Sequence, residues 1–313
     1  MGTGSGFGKV ILFGEHFVVY GIPAIASAIE METTALAEKT GGSAVELEDL
    51  RKATPGYKDD KKDQQKESID RIFRACGLAD TKNVKLTLGG SLTAASGVGA
   101  SAASCVAIAR ALGNEFGLKF TDERINEIAF EGEKGYHGTP SGLDNTVATF
   151  GGLIWFQRSE KPVMEKKSIM NPVEIVMGNS GLVTDTKAAV EGVRKRREEN
   201  PKKFDDIFKR YEQLAYKARD AIEQSHVSDI GKYMNENHRL LQEIGVSCDK
   251  LDFMVNLARR SGAVGAKLTG GGLGGYMVAL APGKDRQKKV AEALEKEGFS
   301  VLRTKIGVEP KII

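Results

Sequence analysis

The segment richest in chemical content is Thr93-Ala-Ala-Ser96-Gly97-Val98-Gly99-Ala100-Ser101-Ala102-Ala103, which a strand feeds and a helix leaves. The first turn of a helix has backbone N–H groups without intrahelical partners and carries roughly half a positive charge from the macrodipole. Glycines let the backbone come close to phosphate oxygens, so the geometry suits a triphosphate. Ser101 can place a hydroxyl on a phosphate-bound Mg2+. A capped helix preceded by a flexible loop would read the same from this segment alone. It is not a P-loop: the early Gly8-Lys9 pair has Thr3 where the first glycine should stand, and Val10 follows the lysine. Gly270-Gly271-Gly272-Leu273-Gly274-Gly275 satisfies G-x-G-x-x-G by letter, but a dinucleotide fingerprint must open a helix. Tyr276-Met-Val-Ala-Leu reads as a strand, so a tight turn lending N–H groups to a nearby ligand fits better.

Four other places carry charge. Lys9 stands just before an apolar strand, Glu15-His16 just after it, Glu133 near a helix end, and Asp144 within Pro140-Ser-Gly-Leu-Asp-Asn-Thr. Singly, each reads as a surface charge or a turn former. Together they supply a cation, two carboxylates and a phosphate loop, which phosphoryl transfer requires. Residues 193–212 are dense in Arg, Lys and Glu; a solvated helix face with i,i+4 pairs explains them better than an anion-binding surface does.

The elements that must position these residues follow from periodicity. Val10–Phe13 is a first strand, entered from a glycine-rich segment, and Phe17–Ile29 leads into the β-leaning Thr33–Ala37. Residues 49–69 are charge-rich, with a Pro55-Gly56 turn, and are expected to be an exposed insertion before a helix at Glu67–Cys76. Val84, Leu86 and Leu88 alternate with Lys85 and Thr87 as a strand does, and Ser101–Phe116 is helical. Thr121 is placed to cap a helix carrying Ile125, Ile128 and Ala129 inward. Periodicity fades over 155–172, which puts a boundary there and predicts domains at 1–160 and 161–313. A short strand at Glu174–Met177, long helices over 186–260, strands at Ala266–Thr269 and Tyr276–Ala281, a helix at Arg286–Glu297 and a strand at Val301–Thr304 complete the expectation.

Composition narrows the class. The 313 residues, 41% hydrophobic, can bury a real core. A net charge of +3 from 45 basic and 42 acidic residues makes no electrostatic case for a nucleic-acid or membrane partner. Cys76, Cys105 and Cys248 form no CxxC pair, and no histidine has zinc-ligand spacing, so reduced thiols are expected. The first residues lack a charged segment followed by an apolar one, and no apolar run is long enough to span a bilayer. A reducing, cytoplasmic setting is the expectation.

Three segments, in order and spacing, resemble the mevalonate kinase family, within the superfamily that also holds galactokinase and homoserine kinase. They are Gly8-Lys-Val-Ile-Leu-Phe-Gly-Glu-His-Phe-Val-Val-Tyr-Gly21, Ser96-Gly-Val-Gly-Ala-Ser-Ala-Ala103 and Lys267-Leu-Thr-Gly-Gly-Gly-Leu-Gly-Gly275. His137-Gly-Thr-Pro-Ser-Gly-Leu-Asp-Asn145 and Thr184-Asp-Thr-Lys187 add family detail, and the look is nearest to the trypanosomatid type. The resemblance implies an α+β fold, with a left-handed βαβ unit in the N-terminal domain and a ferredoxin-like C-terminal domain. It implies ATP-dependent phosphorylation of mevalonate, with Mg2+ as cofactor. Asp144 matches the catalytic base, and Lys9 the cation that pairs with it and lowers the pKa of the substrate hydroxyl. Ser101 and Glu133 match Mg2+ ligands. Glu15, His16 and Thr186 match the substrate side, and Ser96 to Ala102 the triphosphate loop. A prenyl diphosphate as feedback inhibitor is a family expectation, and monomer and homodimer are both open. Two departures stand out: Phe7 replaces the usual proline, and Ala100 the first of two serines, which removes one loop hydroxyl. A sister kinase acting on galactose, homoserine or phosphomevalonate, a diphosphomevalonate decarboxylase and a non-catalytic sensor are the rivals. The presence of Lys9, Ser101, Glu133 and Asp144 argues against the sensor.

Overall fold

The first strand is longer than its apolar run: β1 spans Gly2–Phe13 in the computed structural model, which describes residues 1–310 other than 54, 82, 96, 161, 168 and 183–185. Two compact units share the chain. The first holds Met1–Lys9, Ala28–Gly151 and the chain from Glu309; the second holds Val10–Ser27 and Gly152–Val308. The expected boundary at 160 is a cut along the sequence, whereas these units are defined by contact, and β1 and β2 (Ala24–Lys39) run through both.

In the first unit, β3 (Val45–Asp49) lies parallel to β4 (Val84–Gly90), and β4 pairs antiparallel with the later part of β2. Between β3 and β4 come α1 (Tyr57–Asp60) and α2 (Lys62–Ala75), a βαβ unit. The alternation read at Val84, Leu86 and Leu88 is real: all three are fully buried. They face a core shared with α2, α3 (Ala100–Phe116), α4 (Asp122–His137) and α5 (Leu143–Phe150). Thr121 caps α4 as expected, its Oγ1 accepting from Arg124 N at 3.3 Å. The expected exposed insertion at 49–69 is corrected in part. It begins with the buried Arg51 and ends inside α2, whose Ile69 is also buried.

The glycine-rich start of β1 is strand because of what lies on it. A Cβ at Gly2, Gly4 or Gly6 would come within 2.3, 2.4 and 2.4 Å of the carbonyl oxygens of Ala111, Ala107 and Ala103 on α3. Two strand residues rise about 6.6 Å and four helical residues about 6 Å, so alternate strand positions keep step with every fourth helix position. Arg110 and Asn114 of α3 donate to Ser5 O at 2.8 Å and Thr3 O at 2.7 Å, satisfying strand carbonyls. Four residues before Ala103 is Gly99, and there the strand presents Lys9, whose N–H donates to Val98 O at 2.9 Å.

In the second unit, β7 (Val173–Asn179), β8 (Gly265–Thr269), β9 (Tyr276–Leu280) and β10 (Ser300–Ile306) form an antiparallel sheet in the order β10-β7-β9-β8. Helices α6 (Thr186–Glu199), α7 (Pro201–Glu223), α8 (Val227–Glu243) and α9 (Asp249–Arg260) join β7 to β8, and α10 (Lys284–Lys296) joins β9 to β10. That is a ferredoxin-like order with an enlarged first crossover. Two strands fall where periodicity fades: β5 (Leu153–Gln157) pairs with the start of β2, and β6 (Val163–Lys167) pairs with β5. β5 is buried on both faces and so shows no alternation, while β6 is mostly exposed. Among the described residues, no helix is long and apolar enough to cross a membrane. The three cysteines are free thiols.

Candidate active site

The phosphate loop expected at 96–102 is described from Gly97; Ser96 lies outside the described residues. Gly97 and Gly99 have φ of 90° and 72°, left-handed values that favour glycine. Gly99 has a second reason to lack a side chain, since a Cβ there would sit 2.6 Å from Lys9 Cγ. Gly99 is the N-cap of α3 and no side chain caps the helix, so its first-turn N–H groups have no side-chain acceptor at that cap. Val98, Ala100 and Ala102 are buried, and Ser101 is partly exposed on the same turn.

Lys9 Nζ stands 3.1 Å from Asp144 Oδ2. The lysine side chain is 8% exposed and the aspartate side chain 32%, so the pair is open on its carboxylate side only. Asp144 lies in the first turn of α5, after Gly142 in the left-handed region, where the helix dipole favours an anion. Glu133, on α4, is buried; burial first, and then the charge of Asp144, push its acid up to about 8, against a hydrogen bond from Ser101 and the charge of Lys9. One turn further, His137 Nε2 lies 3.3 Å from Ser101 Oγ and 3.9 Å from Glu133 Oε2. Burial holds the His137 imidazolium below its usual range, although Asp144 pulls the other way.

This donor set fits a hard cation. A buried carboxyl, a hydroxyl bonded to it and a second carboxylate are all oxygen ligands, and a cation beside them would offset the burial that now raises Glu133. Among the described residues, no three His, Cys, Asp or Glu side chains converge as a self-sufficient metal cage. Mg2+ does not demand one, because it is usually held by one or two carboxylates together with substrate phosphates.

In the second unit, Glu15 and His16 follow β1 at a sharp turn. His16 has φ 64°, uncommon for a non-glycine residue. Its Nε2 lies 2.8 Å from Gly271 O, and a carbonyl only accepts, so Nε2 carries the proton and Nδ1 the lone pair. That Nδ1 is buried without a hydrogen-bond partner among the described residues. Burial lowers the pKa of the ring from its ordinary value, although the bond to Gly271 pulls the other way. Thr186, at the start of α6, lies against the same backbone: a Cβ on Gly271 would meet its Oγ1 at 2.5 Å. The run 270–275 is the turn between β8 and β9, as expected, and not the opening of a helix. Thr184 and Asp185 of the Thr-Asp-Thr-Lys motif lie outside the described residues.

Glu15 lies in the second unit, next to His16 in the chain. It is fully buried in an ion pair with Lys267, whose ammonium also donates to Leu268 O at 2.7 Å. Sequence reasoning assigned Lys267 no role. The available signal was a lysine inside a five-residue strand of otherwise small or apolar residues and threonine. The structure therefore gathers Lys9, Ser101, Glu133 and Asp144 with the loop in one cluster, and Glu15, His16 and Thr186 with the glycine turn in another.

Residues 65–152 match the N-terminal domain of the GHMP kinases, and residues 218–300 match the GHMP kinases C terminal. The chain is similar to a mevalonate kinase of Pyrococcus horikoshii, 37% identical over 96% of this chain and 94% of that protein. It is also similar to one of Thermococcus sibiricus, 36% identical over 96% and 95%. Among solved structures, L. major mevalonate kinase in complex with R-mevalonate superposes with a TM-score of 0.94 at 36% identity, covering 100% of this chain and 97% of that one.

Proposed function

Because the chain belongs to the mevalonate kinase family of the GHMP kinases, we propose that it transfers the γ-phosphoryl group of ATP to the C5 hydroxyl of mevalonate. The observation that carries this reading is the Lys9–Asp144 pair, set beside a glycine-bearing helix N-terminus whose cap has no side-chain hydrogen bond. The likeness to a mevalonate-bound structure supports the choice of alcohol.

Phosphoryl transfer needs alignment and charge neutralisation more than covalent help. The N–H groups of the 97–102 turn hold phosphate oxygens. The Asp144 carboxylate, a third exposed, orients the hydroxyl and takes its proton as the oxygen attacks phosphorus, while ADP leaves with the bond electrons. Lys9, fixed 3.1 Å from that carboxylate, faces the charge developing on the oxygen. Such a base is worth about 10²–10⁴ in rate. Ser101 and Glu133 would hold Mg2+, which when bound neutralises charge on the phosphates. His16 offers its unpartnered Nδ1 to a substrate hydroxyl, and Thr186 a hydroxyl of its own. Glu15, next to His16 in the chain and paired with Lys267, completes the substrate-side set.

The proposal extends to a place in isoprenoid and sterol precursor synthesis, in the cytoplasm, consistent with free thiols. Feedback by a prenyl diphosphate belongs to it as a family trait, and a homodimer is an alternative to the monomer. The test is a coupled ADP-release assay over a panel of alcohols with product analysis. Mevalonate should give ADP and a 5-phosphate ester in equal amounts without CO2. Turnover of galactose or homoserine with none on mevalonate would overturn the substrate, and CO2 release would point to a decarboxylase.

A further inference from the structure

The charge-rich stretch after β3 contains one arginine whose surroundings are unlike those of a surface charge. Arg51 is 6% exposed. Its Nε and Nη2 donate to the two oxygens of Asp49 at 3.0 and 2.6 Å, a fork-to-fork pair. Its Nη1 reaches Ser104 Oγ at 2.6 Å, Thr33 Oγ1 at 3.3 Å and Ala100 O at 3.4 Å. Ser104 Oγ in turn donates to Ala100 O at 2.7 Å. One guanidinium thus ties the end of β3 and the strand β2 to the first turn of α3. Asp49 is itself held by Lys58 Nζ, which donates to Asp49 O at 2.6 Å, and by Gln65 Nε2 at 3.4 Å. Burial pushes the Asp49 carboxyl up, but its bonds to Arg51 and the charges of Arg51 and Lys58 outweigh that and hold it below its ordinary range.

The sign of the charge is informative. A cation beside the positive end of a helix opposes the macrodipole, and burying it carries a desolvation cost. A neutral side chain could brace the helix without either penalty. Asp49 offsets part of that cost, and the arrangement gains further when a phosphate sits at the same helix end, where guanidinium and dipole act together. A cavity whose lining includes Asp49, Arg51, Lys58, Lys61, Ala100 and Ser101 reaches that helix end, three cations to one carboxylate.

We infer that Arg51 is the positioning residue of the phosphate loop: clamped by Asp49, it fixes the first turn of α3 and adds positive charge beneath a bound triphosphate. This rests on the reading of the chain as an ATP-dependent kinase, and it predicts an effect confined to the phosphates. Arg51→Lys keeps the charge but loses the fork, and Arg51→Met keeps only the stem. Affinity for ATP, titrated with Mg2+ present, should fall about tenfold in Arg51→Lys and about 100-fold in Arg51→Met, as one and then two tenfold steps of lost interaction. The loss should appear in KM for ATP, with KM for mevalonate unmoved. Adenosine, tested as a competitive inhibitor, should bind all three proteins alike, because it has no phosphate to report on the loop. Equal losses of ATP and adenosine, or wild-type ATP affinity in both variants, would overturn the inference. Where Arg51→Met fails to fold by circular dichroism, Arg51→Lys decides alone by the same two ligands. Wild-type protein that binds ATP yet phosphorylates no mevalonate defeats the substrate proposal and leaves this one standing; wild-type protein that binds no ATP defeats both.

Discussion

Two lysine–carboxylate pairs, one in each unit, differ in one respect. Lys9–Asp144 leaves its carboxylate a third exposed, while Lys267–Glu15 is sealed on both sides. In sequence all four residues look alike, as charges near glycine-rich segments. An open pair can exchange a proton with something that arrives; a sealed pair can only hold its surroundings in place. Removing one member of a sealed pair strands the other charge in a medium that cannot solvate it, whereas in the open pair the carboxylate, a third exposed, keeps contact with water. On the proposed mechanism, the same chemistry divides into function and framework by access alone.

The comparison breaks most visibly at the sealed pair. Lys267→Met should cost about 3–5 kcal/mol of unfolding free energy in chemical denaturation, by leaving Glu15 charged and buried. Glu15→Gln added to it should restore much of that loss; a single variant as stable as wild type would mean that the pair is not framework. Asp144→Asn should do the converse. The amide oxygen still accepts from the buried Lys9, so the stability loss should be about 1–3 kcal/mol, smaller than at the sealed pair, and kcat falls by about 10² or more, or roughly 2.7 kcal/mol of barrier, with nucleotide affinity largely kept. Near-normal kcat would remove Asp144 from the mechanism and leave Lys9 and the metal. A smaller effect is expected at the loop. Ser101→Ala should lower kcat/KM for Mg·ATP by about tenfold, the loss of about 1.4 kcal/mol, while Ala100→Ser stays near wild type. Equal losses would misplace the metal.

The last test concerns stability against pH. His238 is buried beside Asp252, its Nε2 3.1 Å from Oδ1, and burial, then Arg259, lower its pKa from 6.5 to about 4 against the pull of Asp252. The unfolded chain takes up a proton near 6.5 and the folded one only near 4, so the stability contribution is complete above pH 6.5 and is lost as pH falls toward 4. The slope should reach at most about 1.4 kcal/mol per pH unit. His238→Gln should flatten it; an unchanged slope would place the responsible group elsewhere.

Much of the fold was legible because burial on one face writes a period into the chain, as at Val84, Leu86 and Leu88 and along α4. β3 escaped because its edge position tolerates Glu46 and Glu48, and β5 because burial on both faces erases alternation. The loop and the charged cluster were legible as motifs, since glycine spacing and acid type survive in one dimension. Arg51 was not, because a buried arginine and a solvated one are the same letter, and only the fold supplies Asp49 and Ser104 on either side of it. Nor could the letters separate Glu15 from Asp144.

The glycine ladder of β1 makes the first nine residues a ruled scale. Its divisions are Gly2, Gly4 and Gly6 against Ala111, Ala107 and Ala103, and its reading is the position of Lys9. A scale tolerates different ink between its marks but not a different number of them. Thr3 is exposed and can change type at little consequence. One extra residue between Gly6 and Lys9 would carry the ammonium on by about 3.3 Å and turn it to the opposite face of the strand. The same slip would turn the buried Val10, Leu12 and Phe13 out of register, so the insertion would cost core packing as well as the ammonium beside Asp144.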